Sequence, residues 1–257
     1  IVEMRIMEEE RAAFPGWEAD VTSGQAAREY GEREKEEWKS ADIIICGSEF
    51  VRSGISACAS GLEKKCRVVP YGVDMPPLQR GKSMGGDKLH VLTVGHVRLQ
   101  KGSHYVLSAA RKLASVAEFR MVGQVGVSKR AEHELAGCVD LAGLLPQSKV
   151  LQHYAWADIF LLPSLCEGSA TVCYEALACG LPVICTPNTG SVVRDGVEGY
   201  IVPVRSVEAI VESISKLAGD AESRNEMGDN ARKRAEEFNF TGYGARLLSA
   251  LGMENKG

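Results

Sequence analysis

Short apolar runs, each closed by glycine, proline or serine, alternate along the chain with stretches whose apolar residues recur every three or four positions. The runs predict strands at 41–46, 66–69, 89–94, 118–122, 139–142, 159–162, 183–185 and 199–202. Between them the helical period predicts helices over 49–62, 103–115, 128–135, 147–156 and from Val172 to Gly180. Ser206 opens a further helix striped by Val207, Ile210, Val211, Ile214 and Leu217. A strongly charged helix at 224–238 and a last one at 240–251 follow. Near the start, 26–39 carries Glu and Lys or Arg at helical spacing, with Tyr30 and Trp38 as its expected buried side.

Strands alternating with helices of about a dozen residues argue for parallel βαβ units with right-handed crossovers. The rhythm predicts one complete doubly wound α/β domain over 88–235 and only the end of another before it. The stretch 74–87, rich in Pro, Gly and Lys, reads as a linker. In open parallel sheets ligands sit outside the carboxyl ends of the strands, so the ends of 89–94 and 159–162 are the places to search.

Composition narrows the class. With 257 residues, 45% hydrophobic and 25% charged, the chain is ordinary globular material. A net charge of −4 argues against a nucleic-acid footprint. No run reaches the length of a membrane span. The acidic, polar start shows no signal peptide, and Ile1 in place of Met is read as a start inside a longer protein. Eight cysteines form no C-x-x-C pair, and Cys46, Cys179 and Cys185 read as small buried hydrophobes, which sets the expectation of a cytoplasmic protein. The histidines have no metal-ligand spacing; His104, His133 and His153 read as packing or surface residues. No D-x-D pair is present, so no metal clamp and no cofactor are expected.

The densest chemistry lies in 162–186, LPSLCEGSATVCYEALACGLPVICT. Pro163 and Ser164 stop a strand, and Gly168, Ser169, Ala170 and Thr171 form a loop of small residues that opens a helix. Free amides and the helix dipole make such a place an anion site. Glu167 and Glu175 flank it, roughly 12 Å apart if the segment were all helix. Carboxylates repel an anion, so they should face hydroxyls at either end of the ligand, as a sugar and a ribose around a diphosphate would provide. Taken singly, each glutamate is an ordinary first-turn carboxylate; the whole string is not.

These residues, P-S-x-x-E-G with E-A-x-A-C-G-L-P-V over 163–183, resemble the E-x7-E signature of retaining GT-B glycosyltransferases of family 4, also termed group 1. The likeness extends more loosely over 41–199, with Ser169 and Ala170 where the family often has Phe-Gly. It implies a Rossmann-like nucleotide-sugar donor domain at 88–235 and a linker at 79–87. Residues 1–78 would be the last part of the acceptor-side Rossmann-like domain, and 236–257 a C-terminal helix crossing back. It also implies transfer of a sugar, with retained configuration and without metal, from a nucleotide-diphosphate sugar to a carbohydrate, lipid or other hydroxyl acceptor. Glu167 would contact the donor sugar and Glu175 the ribose.

A second motif, VGHVRLQKG at 94–102, places His96, Arg98 and Lys101 on a loop after a strand, where cations can meet a diphosphate. Gly95 ends that strand. The family pattern G-R-L-x-x-x-K-G puts Lys101 on its lysine and His96 on its arginine, with Arg98 two residues later; either could be the second cation. The resemblance brings Gly123 near base and ribose and Leu144 to the edge of the base, a core leucine being the alternative. Gly190 is expected to let the chain pass close to the donor. Two rivals stay open: a truncated nucleotide-sugar-binding module without turnover of its own, and an epimerase or phosphorylase of similar fold. Membrane-surface attachment through a portion before Ile1 also stays open.

Overall fold

The computed structural model describes residues 1–18, 24–74 and 88–253; the expected linker at 79–87 lies outside them. In chain order the helices are α1 (Val2–Ala13), α2 (Gly24–Ser40), α3 (Glu49–Cys58), α4 (Ser103–Lys112), α5 (Lys129–Ala136), α6 (Gln147–Trp156), α7 (Thr171–Ala178), α8 (Val207–Gly219), α9 (Ala221–Glu237) and α10 (Phe240–Ala250). The strands are β1 (Ile44–Cys46), β2 (Cys66–Val68), β3 (Leu89–Val94), β4 (Ala117–Val122), β5 (Val139–Gly143), β6 (Ile159–Leu162), β7 (Val183–Cys185) and β8 (Gly199–Ile201). Side chains that accept first-turn amides start several helices: Ser48 for α3, Ser128 for α5, Ser206 for α8, Asp220 for α9 and Asn239 for α10.

Strands β3 to β8 form one parallel sheet in the order β5-β4-β3-β6-β7-β8. From β3 the strands are added toward one edge and from β6 toward the other, so the gap between them is the topological switch point of a doubly wound fold. Alternate residues feed two cores. Val91, Phe119, Leu161 and Ile184 pack with α4 and α8, while Leu92, Phe160, Leu162 and Val183 pack with α6, α7 and α9. Both faces are buried, which is why these strands read as continuous apolar runs.

The first seventy residues add a short parallel pair, β1 with β2, over a small core of Cys46, Ile55, Leu62 and Cys66. Residues 41–43, expected in the strand, stay outside the ladder because β2 offers only three partners. Tyr30 departs from expectation: it is 62% exposed. Helix α2 turns Gly31, Glu34, Lys35 and Trp38 inward, and Gly31 packs on Ile1 so closely that a Cβ would lie 2.9 Å from its Cγ1. Tyr30 sits about 100° round the helix from that stripe. Helix α10 lies against residues 70–73, with Arg246 donating to the Pro70 and Tyr71 carbonyls.

Helix α1 is fastened to the sheet domain by one buried carboxylate. Glu10 Oε1 is 2.6 Å from His104 Nε2 and accepts the Tyr105 hydroxyl at 2.5 Å, while Oε2 accepts Arg205 Nε at 2.7 Å. Phe14 and Trp17 close over His104. None of the eight cysteines is in a disulfide; Cys138 is exposed and Cys58 half-buried. No helix among the described residues is long and apolar enough to cross a membrane.

Candidate active site

The carboxyl ends of β3 and β6 meet at the switch point, and the two motifs meet there with them. After β3 the chain turns through Gly95 into Leu99–Lys101, a single 3-10 turn, and enters α4. Gly102 (φ +71°) joins them, and a Cβ there would collide with the Pro163 carbonyl at the end of β6. This crowding brings Lys101 alongside the loop after β6. Lys101 Nζ lies 2.5 Å from Glu167 Oε1, with side-chain exposures of 18% and 11%. Ser164 Oγ donates to the same oxygen at 3.0 Å, and the Glu167 N–H donates to the Asn188 carbonyl at 2.9 Å.

Beyond Glu167 the loop is tightly held. Ser48 Oγ donates to the Gly168 carbonyl at 2.6 Å. Ser169 Oγ donates to the Gly190 carbonyl at 3.1 Å and lies 3.0 Å from the Tyr174 hydroxyl. The Ala170 N–H goes to the Thr189 carbonyl at 2.9 Å, so Ala170 presents no free donor. The amides of Gly168, Ser169, Thr171 and Val172 carry no hydrogen bond among the described residues. They cluster at the N-terminus of α7, where the helix dipole adds positive potential. Gly190 packs against this loop and against Ser48. A Cβ there would lie 2.5 Å from Ser48 Oγ and 2.8 Å from the Gly168 carbonyl, so the glycine serves close packing of the loop.

Glu175 lies on the next turn of α7, half-buried, and its Oε2 accepts the hydroxyl of Tyr154 at 2.7 Å. Burial, and then the nearby Glu175 charge, push the Tyr154 phenol well above its ordinary range, so it remains a donor. The Cys166 thiol beside the site is pushed up to about 12 by burial, then by Glu3 and Glu167, and stays protonated.

On the far side of the switch point Gly95, Gly123 and Gly143 align at the ends of β3, β4 and β5. The Gly95 N–H donates to the Val122 carbonyl and the Gly123 N–H to the Gly143 carbonyl, each at 2.9 Å. A Cβ on Gly123 would collide with the Gly95 carbonyl, so strand crowding alone demands glycine there. Leu144 follows Gly143 and is 73% exposed, which rules out the core reading. His96 is exposed on the loop. Arg98 turns onto Gly126, with its Nε buried and unpaired among the described residues, while Lys101 lies beneath Gly95 and meets Glu167. Among the described residues no cluster of His, Cys, Asp and Glu could hold a metal ion.

Residues 77–234 match the family of Glycosyl transferases group 1. The chain belongs to this family. A D-inositol 3-phosphate glycosyltransferase of Paenarthrobacter aurescens is 30% identical to this group 1 chain over 206 residues, 71% of the chain and 50% of the relative. A glycosyltransferase assigned to colanic acid biosynthesis in Salmonella typhimurium is 25% identical over 252 residues, 90% of the chain and 62% of the relative. The chain thus spans half to three fifths of the length of these relatives. HepE of Anabaena, solved with UDP-glucose, superposes with a TM-score of 0.73 at 16% identity, covering 97% of this chain and 76% of HepE. The fold is that of the GT-B glycosyltransferases.

Three supports of the site carried no signal in the sequence: Ser48, Tyr154 and Asn188. Each acts on residues 21 or more positions away. Only Ser48, a serine opening a helix after a strand, could have been flagged, and then as a cap.

Proposed function

We propose that the group 1 chain is the donor-binding part of a retaining glycosyltransferase. It would move a sugar from a nucleotide-diphosphate sugar to an acceptor hydroxyl without a metal ion. The observation that carries the reading is the Lys101–Glu167 pair beside the open amides of α7, with Glu175 held by Tyr154 one turn on. Cation and amides suit the diphosphate, and the two carboxylates suit hydroxyls on either side of it.

As the bond from the anomeric carbon to the diphosphate breaks, negative charge grows on the leaving oxygens. Lys101 and the amides of Gly168, Ser169, Thr171 and Val172 are fixed donors for that charge and need no reorganisation. Arg98 or His96 supplies a second cation. Glu167 accepts from donor-sugar hydroxyls, and Glu175 accepts from the ribose. Gly123 and the exposed Leu144 border the base. The acceptor is a carbohydrate, lipid or other hydroxyl compound, and the location is cytoplasmic or peripheral to a membrane. The HepE complex with UDP-glucose supports a nucleotide-sugar donor.

The test is a thermal-shift panel of UDP, GDP, ADP and their sugar conjugates without added metal. At 100 times Kd a real site adds about 2.7 kcal/mol, a rise of several degrees. Glu175→Ala should weaken the free nucleotide diphosphate, whereas Glu167→Ala should spare it and weaken the sugar conjugate. A cooperative melt with no shift across the panel, or variants that bind like the parent, would overturn the proposal.

A further inference from the structure

Gln100 stands one residue before Lys101 and is half-buried. Its carbonyl accepts the Leu165 N–H at 2.8 Å. Its side-chain amide donates to the Cys166 carbonyl at 3.2 Å and to Glu3 Oε1 on α1 at 2.9 Å. Three segments therefore meet on one residue: the turn that carries Lys101, the loop that carries Glu167, and α1.

We propose that Gln100 is a positioning residue that sets the Glu167 carboxylate against Lys101. The inference rests on the reading of Glu167 as the group that meets the donor sugar. The peptide between Cys166 and Glu167 is a rigid plane with the Cys166 carbonyl on one edge and the Glu167 N–H on the other. Gln100 ties the carbonyl, and the Asn188 carbonyl ties the N–H. With both edges held, the plane cannot rotate, and only side-chain torsions of Glu167 remain for Lys101 and Ser164 to fix. Glu3 takes the second hydrogen of the same NH2 group and so orients it toward Cys166. Without the Gln100 amide the plane is pinned at one edge and can rock.

The chemistry makes the prediction asymmetric. Gln100→Ala removes the tie. Gln100→Glu does more, because it points carboxylate oxygens at the Cys166 carbonyl and at Glu3 and offers Lys101 a rival partner. For whichever base the parent binds among UDP, GDP and ADP, calorimetry should show Gln100→Ala weakening the sugar conjugate about tenfold, the size expected for one or two hydrogen bonds. Free nucleotide diphosphate should stay within about twofold, because Lys101 and the α7 amides are retained. Gln100→Glu should be weaker still. In Gln100→Ala/Glu167→Ala the loss should equal that of Glu167→Ala alone, since the brace acts through the residue already removed. Hydrogen exchange should be faster across 163–170 in Gln100→Ala, with the sheet unchanged.

Parent-like exchange across 163–170 in Gln100→Ala would overturn the proposal whether or not the protein binds nucleotide. So would additive losses in the double variant, or Gln100→Glu binding as well as the parent. If the parent binds no nucleotide while the exchange rises, the brace stands and the donor reading falls.

Discussion

Replacing Glu10 by glutamine should reveal how firmly α1 is fastened to the sheet domain. The carboxylate is 1% exposed. Burial raises its pKa, but hydrogen bonds from His104, Tyr105 and Arg205 outweigh that and lower it from 4.5 to about 2. At 1.36 kcal/mol per pH unit, that fall corresponds to about 3 kcal/mol of stability at pH 7. The sign follows from the direction. A depressed carboxylate contributes its full amount above pH 4.5 and loses it as the pH falls toward 2. At pH 3 only about 1 kcal/mol should remain. His104 is pushed down, first by its own burial, and stays neutral with Nε2–H donated to Glu10 and Nδ1 without a partner among the described residues. Glu10 itself holds the His104 pKa up, so His104 is more acid-sensitive in Glu10→Gln and offsets part of the narrowing at pH 3. Urea titrations of parent and Glu10→Gln at pH 7 and pH 3 measure that difference directly. A gap below about 1 kcal/mol at pH 7 would refute the reasoning.

Three further substitutions read separate features. Tyr154→Phe removes the buried donor to Glu175 and should weaken nucleotide diphosphate binding about tenfold by calorimetry, since hydrogen bonds to charged groups are worth about 1.5–3 kcal/mol. Gly102→Ala and Gly143→Ala meet the same φ of +71°, yet only Gly102 faces a collision, with Pro163, while Gly143 has open space. The Gly143 variant should lose about 1 kcal/mol of stability and the Gly102 variant about 3 kcal/mol, with weaker donor binding because Lys101 is its neighbour.

The doubly wound sheet was legible because each strand is short, apolar and buried on both faces. Leu89–Val94 and Ile159–Leu162 fall on their expected residues. Helix α4 ends at Lys112, short of the expected 115. Nothing in Leu113, Ala114 and Ser115 forbids helix; Leu113 turns into the core, and its carbonyl takes the Val116 and Ala117 amides. The Glu167 string and Lys101 stood out as motifs, and the fold brings them into contact. Residues joined only by tertiary structure did not stand out. Tyr154 looks like any packed helix aromatic until Glu175 is placed beside it, and Glu10 looks like one more surface acid in EEE. Tyr30 misled because aromatic character was weighed above the position of Gly31.

The Glu167 loop hangs from unequal moorings. On the sheet side it is tied through Asn188, Thr189 and Gly190, with Asn188 Nδ2 also holding the Leu165 carbonyl. Toward the first seventy residues the direct hydrogen bond among the described residues is that of Ser48 to the Gly168 carbonyl. A small shift of α3, which Ser48 caps, away from the loop would release that one bond, worth about 1 kcal/mol, and leave the loop's others intact. The loop would then stay cargo of the sheet and keep its internal shape, with Ser48 as a light latch between it and α3.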